Sequence, residues 1–342
     1  MIRKTLAGLA AVPLLVLALG AAPAQAADNG DPKLTISDIE LSTTSVAANG
    51  LKLTPIDVAV KAKYNETGTD PEQYTLVVKL ARTGGTGQAT RLLSVDLKRT
   101  AGTPQDGVWT GRIEVPSTAN GTFKVTGVFS GRSDMYGPNP YDGQTLTVTG
   151  THQPKFTSSS TPSPVPVNKA YKLSWRLTDS DTGKPLTKTK VTIGFDNTCA
   201  EPGGQSALTD ANGSVSTQVA ARNEALNCVF IESGYNIVVF GGDDTKFLVG
   251  VSAAPAKTSA KVGTVVPVNG TVTEARTCKV NLQRLYGASQ WRTVGTSNIR
   301  SSGRFTLNAQ PAYKGKIYYR VLMSPCSVYV AASSKSFTIT GV

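Results

Sequence analysis

Apolar and polar residues alternate with a period of two along most of this chain. Ile56, Val58, Val60, Ala62 and Tyr64 are interleaved with Asp57, Ala59, Lys61 and Lys63. Tyr74, Leu76, Val78 and Leu80 repeat the pattern. So do Leu173, Trp175 and Leu177 against Lys172, Ser174 and Arg176, and Cys278, Val280 and Leu282 against Lys279, Asn281 and Gln283. Successive side chains of a strand point to opposite faces, so this alternation marks strands with one buried face. Turn-forming pairs separate the runs: Asn49-Gly50, Asp106-Gly107, Asn120-Gly121, Asn212-Gly213, Asn269-Gly270 and Ser302-Gly303. The pattern predicts an all-β protein of antiparallel sandwiches, with Trp109, Trp175 and Trp291 each anchoring a core.

The N-terminus departs from this pattern. Arg3 and Lys4 precede an apolar stretch, Leu6 to Gly20, and Ala24-Gln25-Ala26 places small residues at a cleavage site. This predicts a secretory signal over residues 1–26, removed after Ala26. The apolar stretch is shorter than the ~20 residues that span a bilayer, and no second stretch approaches that length. The expected location is therefore extracellular or cell-wall associated, with no transmembrane segment after processing. Two composition breaks divide the remainder. Thr157 to Pro166 is rich in Ser, Thr and Pro, and reads as a linker or an edge. Ser252-Ala253-Ala254-Pro255-Ala256-Lys257 is the second break. The resulting pieces, 27–150, 151–252 and 253–342, each suit one sandwich of about 100 residues.

The pieces carry recognisable strand orders. The third holds Lys279 to Leu285, then Gln290-Trp291-Arg292-Thr293-Val294, Ser301 to Leu307 and Tyr318-Tyr319-Arg320-Val321. The second holds Gly183-Lys184-Pro185-Leu186 before the strand Lys190 to Ile193, then Thr209-Asp210-Ala211-Asn212-Gly213. The first holds Asp106 to Gly111 and Gly121 to Val125. Together they resemble the tandem immunoglobulin-like and prealbumin-like modules of exported actinobacterial proteins. The resemblance implies three tandem Ig-like sandwiches serving as spacers, adhesins or enzyme appendages. The cysteines depart from the commonest pattern of these modules, so the resemblance assigns no binding residues.

Cysteine and histidine usage narrows the chemistry. Four cysteines, Cys199, Cys228, Cys278 and Cys326, in an exported chain argue for two disulfides. Three pairings exist, and the domain boundaries favour Cys199–Cys228 and Cys278–Cys326. The single histidine, His152, excludes a multi-histidine metal site and reads as a solvated loop residue. Asp179-Ser180-Asp181-Thr182-Gly183, Asp210-Ala211-Asn212-Gly213 and Gly242-Asp243-Asp244 collect oxygen ligands, but none matches a twelve-residue calcium loop, and turns need the same residues. No metal or cofactor is expected.

Charge is the most informative remaining feature. The whole chain carries +12, yet residues 27–150 come to −1 and residues 151–252 to zero. Residues 253–342 hold twelve Lys and Arg against a single acid, Glu274, a net +11. A small sandwich cannot bury that many unpaired cations, so this piece must show a positive surface. Lys279, Arg292, Arg304, Lys316 and Arg320 are the candidate polyanion-binding residues. The partner expected is an anionic cell-envelope polymer or acidic glycan, with another surface protein as the second kind considered. Tyr136 and Tyr141, a tyrosine pair in a loop, are candidate contacts for sugar or protein. The reading is a non-enzymatic adhesion or display protein. The alternative is a carbohydrate-active enzyme or an enzyme inhibitor working through domain-end loops such as Arg132 to Asp142.

Overall fold

The computed structural model describes residues 30–342 apart from 66–74, 132–136, 195–203, 222–226 and 276. The predicted signal, Tyr136 and Cys199 lie outside the described residues. The rest is built of strands, and no helix among the described residues is long and apolar enough to cross a membrane.

The first ten strands are β1 (Leu34–Leu41), β2 (Ser45–Asn49), β3 (Thr54–Tyr64), β4 (Leu76–Gly84), β5 (Arg91–Leu93), β6 (Lys98–Thr103), β7 (Asp106–Val115), β8 (Gly121–Ser130), β9 (Asn139–Pro140) and β10 (Thr145–Thr151). They form one sheet ordered β1-β3-β7-β6 and another ordered β2-β10-β8-β4-β5, with β9 paired to β8. This is the ABED/GFC arrangement of an Ig-like sandwich with an added C′ strand. Its first strand is split, so that β2 runs parallel to β10. The alternating residues Val58, Val60, Ala62 and Tyr64 meet Trp109, Leu80 and Phe123 in one core, where Trp109 is only 1% exposed.

The middle strands are β11 (Pro154–Thr161), β12 (Val165–Pro166), β13 (Tyr171–Asp179), β14 (Lys190–Gly194), β15 (Gln205–Leu208), β16 (Ser214–Val219), β17 (Cys228–Ser233), β18 (Asn236–Gly241) and β19 (Phe247–Leu248). β11-β13-β16 packs on β15-β14-β17-β18 around Trp175, and β12 and β19 form a parallel pair. The Ser/Thr/Pro stretch is therefore mostly not a linker. Pro154 to Thr161 pairs residue for residue with Asp179 to Lys172. The hydroxylated residues of the stretch form an edge strand that ends at Thr161, and its three prolines, Pro162, Pro164 and Pro166, fall beyond it.

The last strands are β20 (Val251–Pro255), β21 (Ser259–Ala260), β22 (Val266–Val272), β23 (Lys279–Tyr286), β24 (Gln290–Asn298), β25 (Arg304–Ala309), β26 (Gly315–Met323), β27 (Ala332–Ser333) and β28 (Phe337–Gly341). β20-β22-β25 packs on β21-β28-β26-β23-β24, again with a parallel pair, β21 and β28, at one edge. The stretch expected as a break at Ser252 to Pro255 is strand β20. Two sequence readings change here. Trp291 lies on the edge strand β24 and is only half-buried; Phe305 and Tyr319 fill the core instead. An edge strand with both faces exposed has no inner face for alternation to mark. Asn269-Gly270 is not a turn but the middle of β22. A Cβ at Gly270 would lie 2.2 Å from the Phe305 ring, its cross-strand partner, so the glycine makes room for that ring.

Among the described residues, three large apolar clusters follow one another in sequence, with a small fourth around Cys228 and Phe230. The N-terminal and middle sheet pairs are spliced by side chains that imitate peptide groups. Asn236 accepts the Leu93 N–H at 2.8 Å and donates to its carbonyl at 2.7 Å. Gln88 does the same for Phe240, at 2.9 and 2.7 Å. The middle and C-terminal pairs join through Phe247, whose N–H donates to Val328 and whose carbonyl accepts from Val330, both at 2.9 Å.

Candidate polyanion-binding surface

The five candidate cations do not form one cluster. Alternation along β26 turns Ile317, Tyr319, Val321 and Met323 inward and Lys316, Tyr318 and Arg320 outward. Along β23, Lys279 stands outward beside buried Val280. Lys279, Lys316 and Arg320 therefore share the outer face of the five-stranded path. Arg304 precedes buried Phe305 on β25 and faces out from the opposite sheet. Arg292 lies on edge strand β24, near the β23–β24 turn.

Arginines and aromatics are stacked here. The Arg320 guanidinium carbon stands 4.5 Å from the Trp291 ring centroid, and its Nε donates to Gln283 Oε1 at 2.8 Å. Arg284 and Arg292 stand over the Tyr286 ring at 4.4 and 4.9 Å. Stacking leaves the donor edge of a guanidinium open for a second partner. The Tyr319 phenol sits beside this group; burial raises its pKa, and the nearby Arg284 opposes that rise. Among the described residues, no ion pair involves a cation of 253–342, in contrast to Lys61–Asp38, Arg112–Glu114 and Lys124–Asp142 in the N-terminal pair. The sequence reading missed Arg284 and Tyr286. The signal available was Arg284-Leu285-Tyr286 followed by Arg292 across a short turn, but only the register sets the two arginines opposite each other.

The other candidates resolve into structural roles. Asp179 Oδ1 accepts the N–H groups of Asp181 and Thr182 at 2.8 and 3.0 Å. Asp210 Oδ1 accepts those of Asn212 and Ser214, both at 2.8 Å, and Asp243 Oδ1 accepts that of Thr245 at 2.8 Å. The three oxygen-rich segments are thus turns closed by their own carboxylates. His152 is not simply solvated. Its Nδ1 lies 2.8 Å from Asp179 Oδ2, and its backbone N–H donates to Asp181 Oδ2 at 2.7 Å. His152, Asp179 and Asp181 bring their ligand atoms within 4.8 Å of one another, the one such group of three among the described residues. Hydrogen bonds of the turn already engage these atoms, so the arrangement fastens the end of β10 to the middle sheet pair. Tyr141 is half-buried against the N-terminal core rather than offering an open ring.

Cys278 and Cys326 are joined by a disulfide that ties the start of β23 to the segment after β26. Cys228 is also disulfide-bonded, with the partner end outside the described residues. A shallow concavity of about 550 Å³ on the N-terminal pair includes Glu40, Asp57 and Arg112. Glu40 lies 3.9 Å from Lys61, and both side chains are exposed to solvent. Asp57 is exposed as well.

No protein-family model matches this chain, and no curated protein matches it. Solved structures do align with it. FdeC, a broadly conserved Escherichia coli adhesin, aligns over 90% of this chain and 99% of its own, at 11% identity and a TM-score of 0.28. An I-band fragment of titin aligns over 90% and 97%, at 12% identity and a TM-score of 0.26. The Yersinia pseudotuberculosis adhesin InvE aligns over 92% and 60%, at 12% identity and a TM-score of 0.20. Similarity at this level says nothing about a shared ligand; the Ig-like character of this chain rests on its own strand order.

Proposed function

We propose that this chain is a secreted, non-enzymatic adhesion or display protein of a bacterial envelope, of the actinobacterial kind that the sequence resembles. It is built of three Ig-like sandwiches, 27–150, 151–252 and 253–342, of which the third docks on an anionic polymer. The carrying observation is the charge of the third piece: a net +11 with a single acid. Its stacked guanidiniums have no carboxylate partner among the described residues. The leader pattern of residues 1–26 and the four cysteines support export, and the lone histidine engaged in a turn supports the non-enzymatic reading.

The test is co-sedimentation of the full mature chain with an insoluble acidic polysaccharide at rising salt. The expected result is retention at low salt and release by several hundred millimolar, because screening weakens exposed charge contacts. Retention unchanged in molar salt, or none at low salt, would sink the docking role. Fractionation of a producing culture tests location: the chain is expected in the wall fraction and to wash off with salt.

A further inference from the structure

Strand register places a ring between two cations on the outer face of the path β21-β28-β26-β23-β24. Along β26, Lys316, Tyr318 and Arg320 take successive outward positions, about 7 Å apart. On one side of β26, Thr340 lies opposite Lys316 and Thr338 opposite Tyr318. On the other side, Gln283 lies opposite Arg320 and Arg284 opposite inward Tyr319, which brings Leu285 beside Tyr318. Trp291 and Thr293 of β24 continue the rows of Leu285 and Gln283. The strands β23, β24, β26 and β28 contain no Asp or Glu, so no carboxylate of theirs competes for the cations of this face.

One of these cations is held in place. Arg320 reaches across β23, where Gln283, only 8% exposed, accepts its Nε–H, and its guanidinium carbon stands 4.5 Å from the Trp291 ring centroid. The four hydrogens on its two Nη atoms remain, and a guanidinium fork matches the two oxygens of a carboxylate. Tyr318, the next outward residue, is 46% exposed. Its open ring suits the apolar C–H face of a sugar, the Thr338 and Thr340 hydroxyls suit the polar rim of that sugar, and Lys316 and Arg320 suit acidic groups on either side. A polyphosphate would satisfy the cations and leave the ring between them uncovered. Single-stranded nucleic acid stacks successive bases on successive open rings, and here the second ring, Trp291, already carries a guanidinium. We propose that the outer face of β26 binds a carboxylated glycan laid along the strand, with Arg320 as its carboxylate fork and Tyr318 as its stacking floor. This rests on the reading of the third sandwich as the polyanion-docking unit.

Titration of the full mature chain with oligogalacturonate, its neutral methyl ester, inorganic polyphosphate and single-stranded DNA at fixed low salt tests it. The wild type is expected to bind oligogalacturonate most tightly. Tyr318→Ala should weaken that binding about tenfold, the loss of one stacked ring, and change polyphosphate binding about twofold or less. Arg320→Lys should also weaken it about tenfold, since an ammonium keeps the charge but loses the fork and the stacking. Arg304→Gln, which removes a charge from the opposite sheet, should cost about twofold or less. If Arg320→Lys lowers the melting temperature, Tyr318→Ala, at an exposed ring outside the core, carries the test. Tyr318→Ala no worse than Arg304→Gln, or weakened equally toward polyphosphate, would overturn the seat and leave the docking role standing. Equal or tighter binding of the methyl ester, polyphosphate or single-stranded DNA would overturn the carboxylated-glycan assignment. Binding of none of the four would overturn both readings.

Discussion

Asp179 resembles a metal ligand in the sequence and acts as a fastener in the fold. Partial burial pushes its carboxyl up, but the N–H groups of Thr182 and Asp181 and the His152 ring outweigh this and hold it below the ordinary value of 3.8. Asp181, which accepts the His152 N–H, and Asp210, which accepts the Ser214 and Asn212 N–H groups, are lowered as well. A carboxyl depressed on folding contributes stability that is complete above its unfolded pKa and disappears as pH falls through the folded value. The melting temperature should therefore be flat above about pH 5 and fall below about pH 4. Asp179→Asn should melt lower at neutral pH and fall less steeply on acidification. Parallel curves for the two proteins, from thermal scans between pH 3 and pH 7, would remove Asp179 from this role. At this scale much was legible: the Asp-x-Asn-Gly and Asp-x-Asp segments were readable as turns because their side chains serve their own backbone. The face of Trp291 was not, because an edge strand lacks the one-sided burial that makes alternation meaningful. Nor was the role of Gly270, since a glycine that clears space for a ring across the sheet looks in sequence like a turn.

Strands such as β3, β13 and β26 were legible because each has one inner face, and their inner residues fill the cores. What joins the sheets was not legible. The β18 edge is held to the N-terminal pair by Asn236 and Gln88, polar residues of a kind common in exposed loops; only the fold sets Leu93 and Phe240 opposite them. Ser233 donating to Glu114 at 2.6 Å and Tyr235 donating to Asp96 at 2.9 Å extend the same contact. Asn236→Ala removes two hydrogen bonds and leaves the Leu93 N–H and carbonyl short of partners. The expected cost is about 2 kcal/mol at the junction. It should appear as faster amide exchange along β5 and β18 and little change in the C-terminal pair. Exchange that accelerated uniformly would mean that the junction is not a local unit. The disulfide acts at the same scale but within one sandwich. Cys278→Ser with Cys326→Ser opens a loop of 48 residues, and about 2–4 kcal/mol of stability should be lost. Denaturant melts should show that loss in the transition of the C-terminal pair.

For the molecule as a whole, the decisive asymmetry is electrostatic. The N-terminal and middle pieces are close to neutral, while residues 253–342 hold the net +11. On an anionic surface such a chain meets a torque as well as an attraction, because the field acts almost entirely on the C-terminal sheet pair. The splice at Asn236 and Gln88 then transmits that orientation, since the N-terminal and middle sheet pairs are held together by reciprocal hydrogen bonds rather than by a free tether. Docking should therefore leave the N-terminal pair exposed to solvent and to partners, which is what display requires. Lysine acylation of the polymer-bound protein checks this directly. Lys279 and Lys316, exposed on the C-terminal sheet face, should be protected several-fold on binding, while Lys61 and Lys63 of β3 should react as they do free in solution. Protection spread evenly over all four would mean that the polymer coats the whole chain. The charge gradient would then govern affinity without governing orientation, and a display role would lose its physical basis.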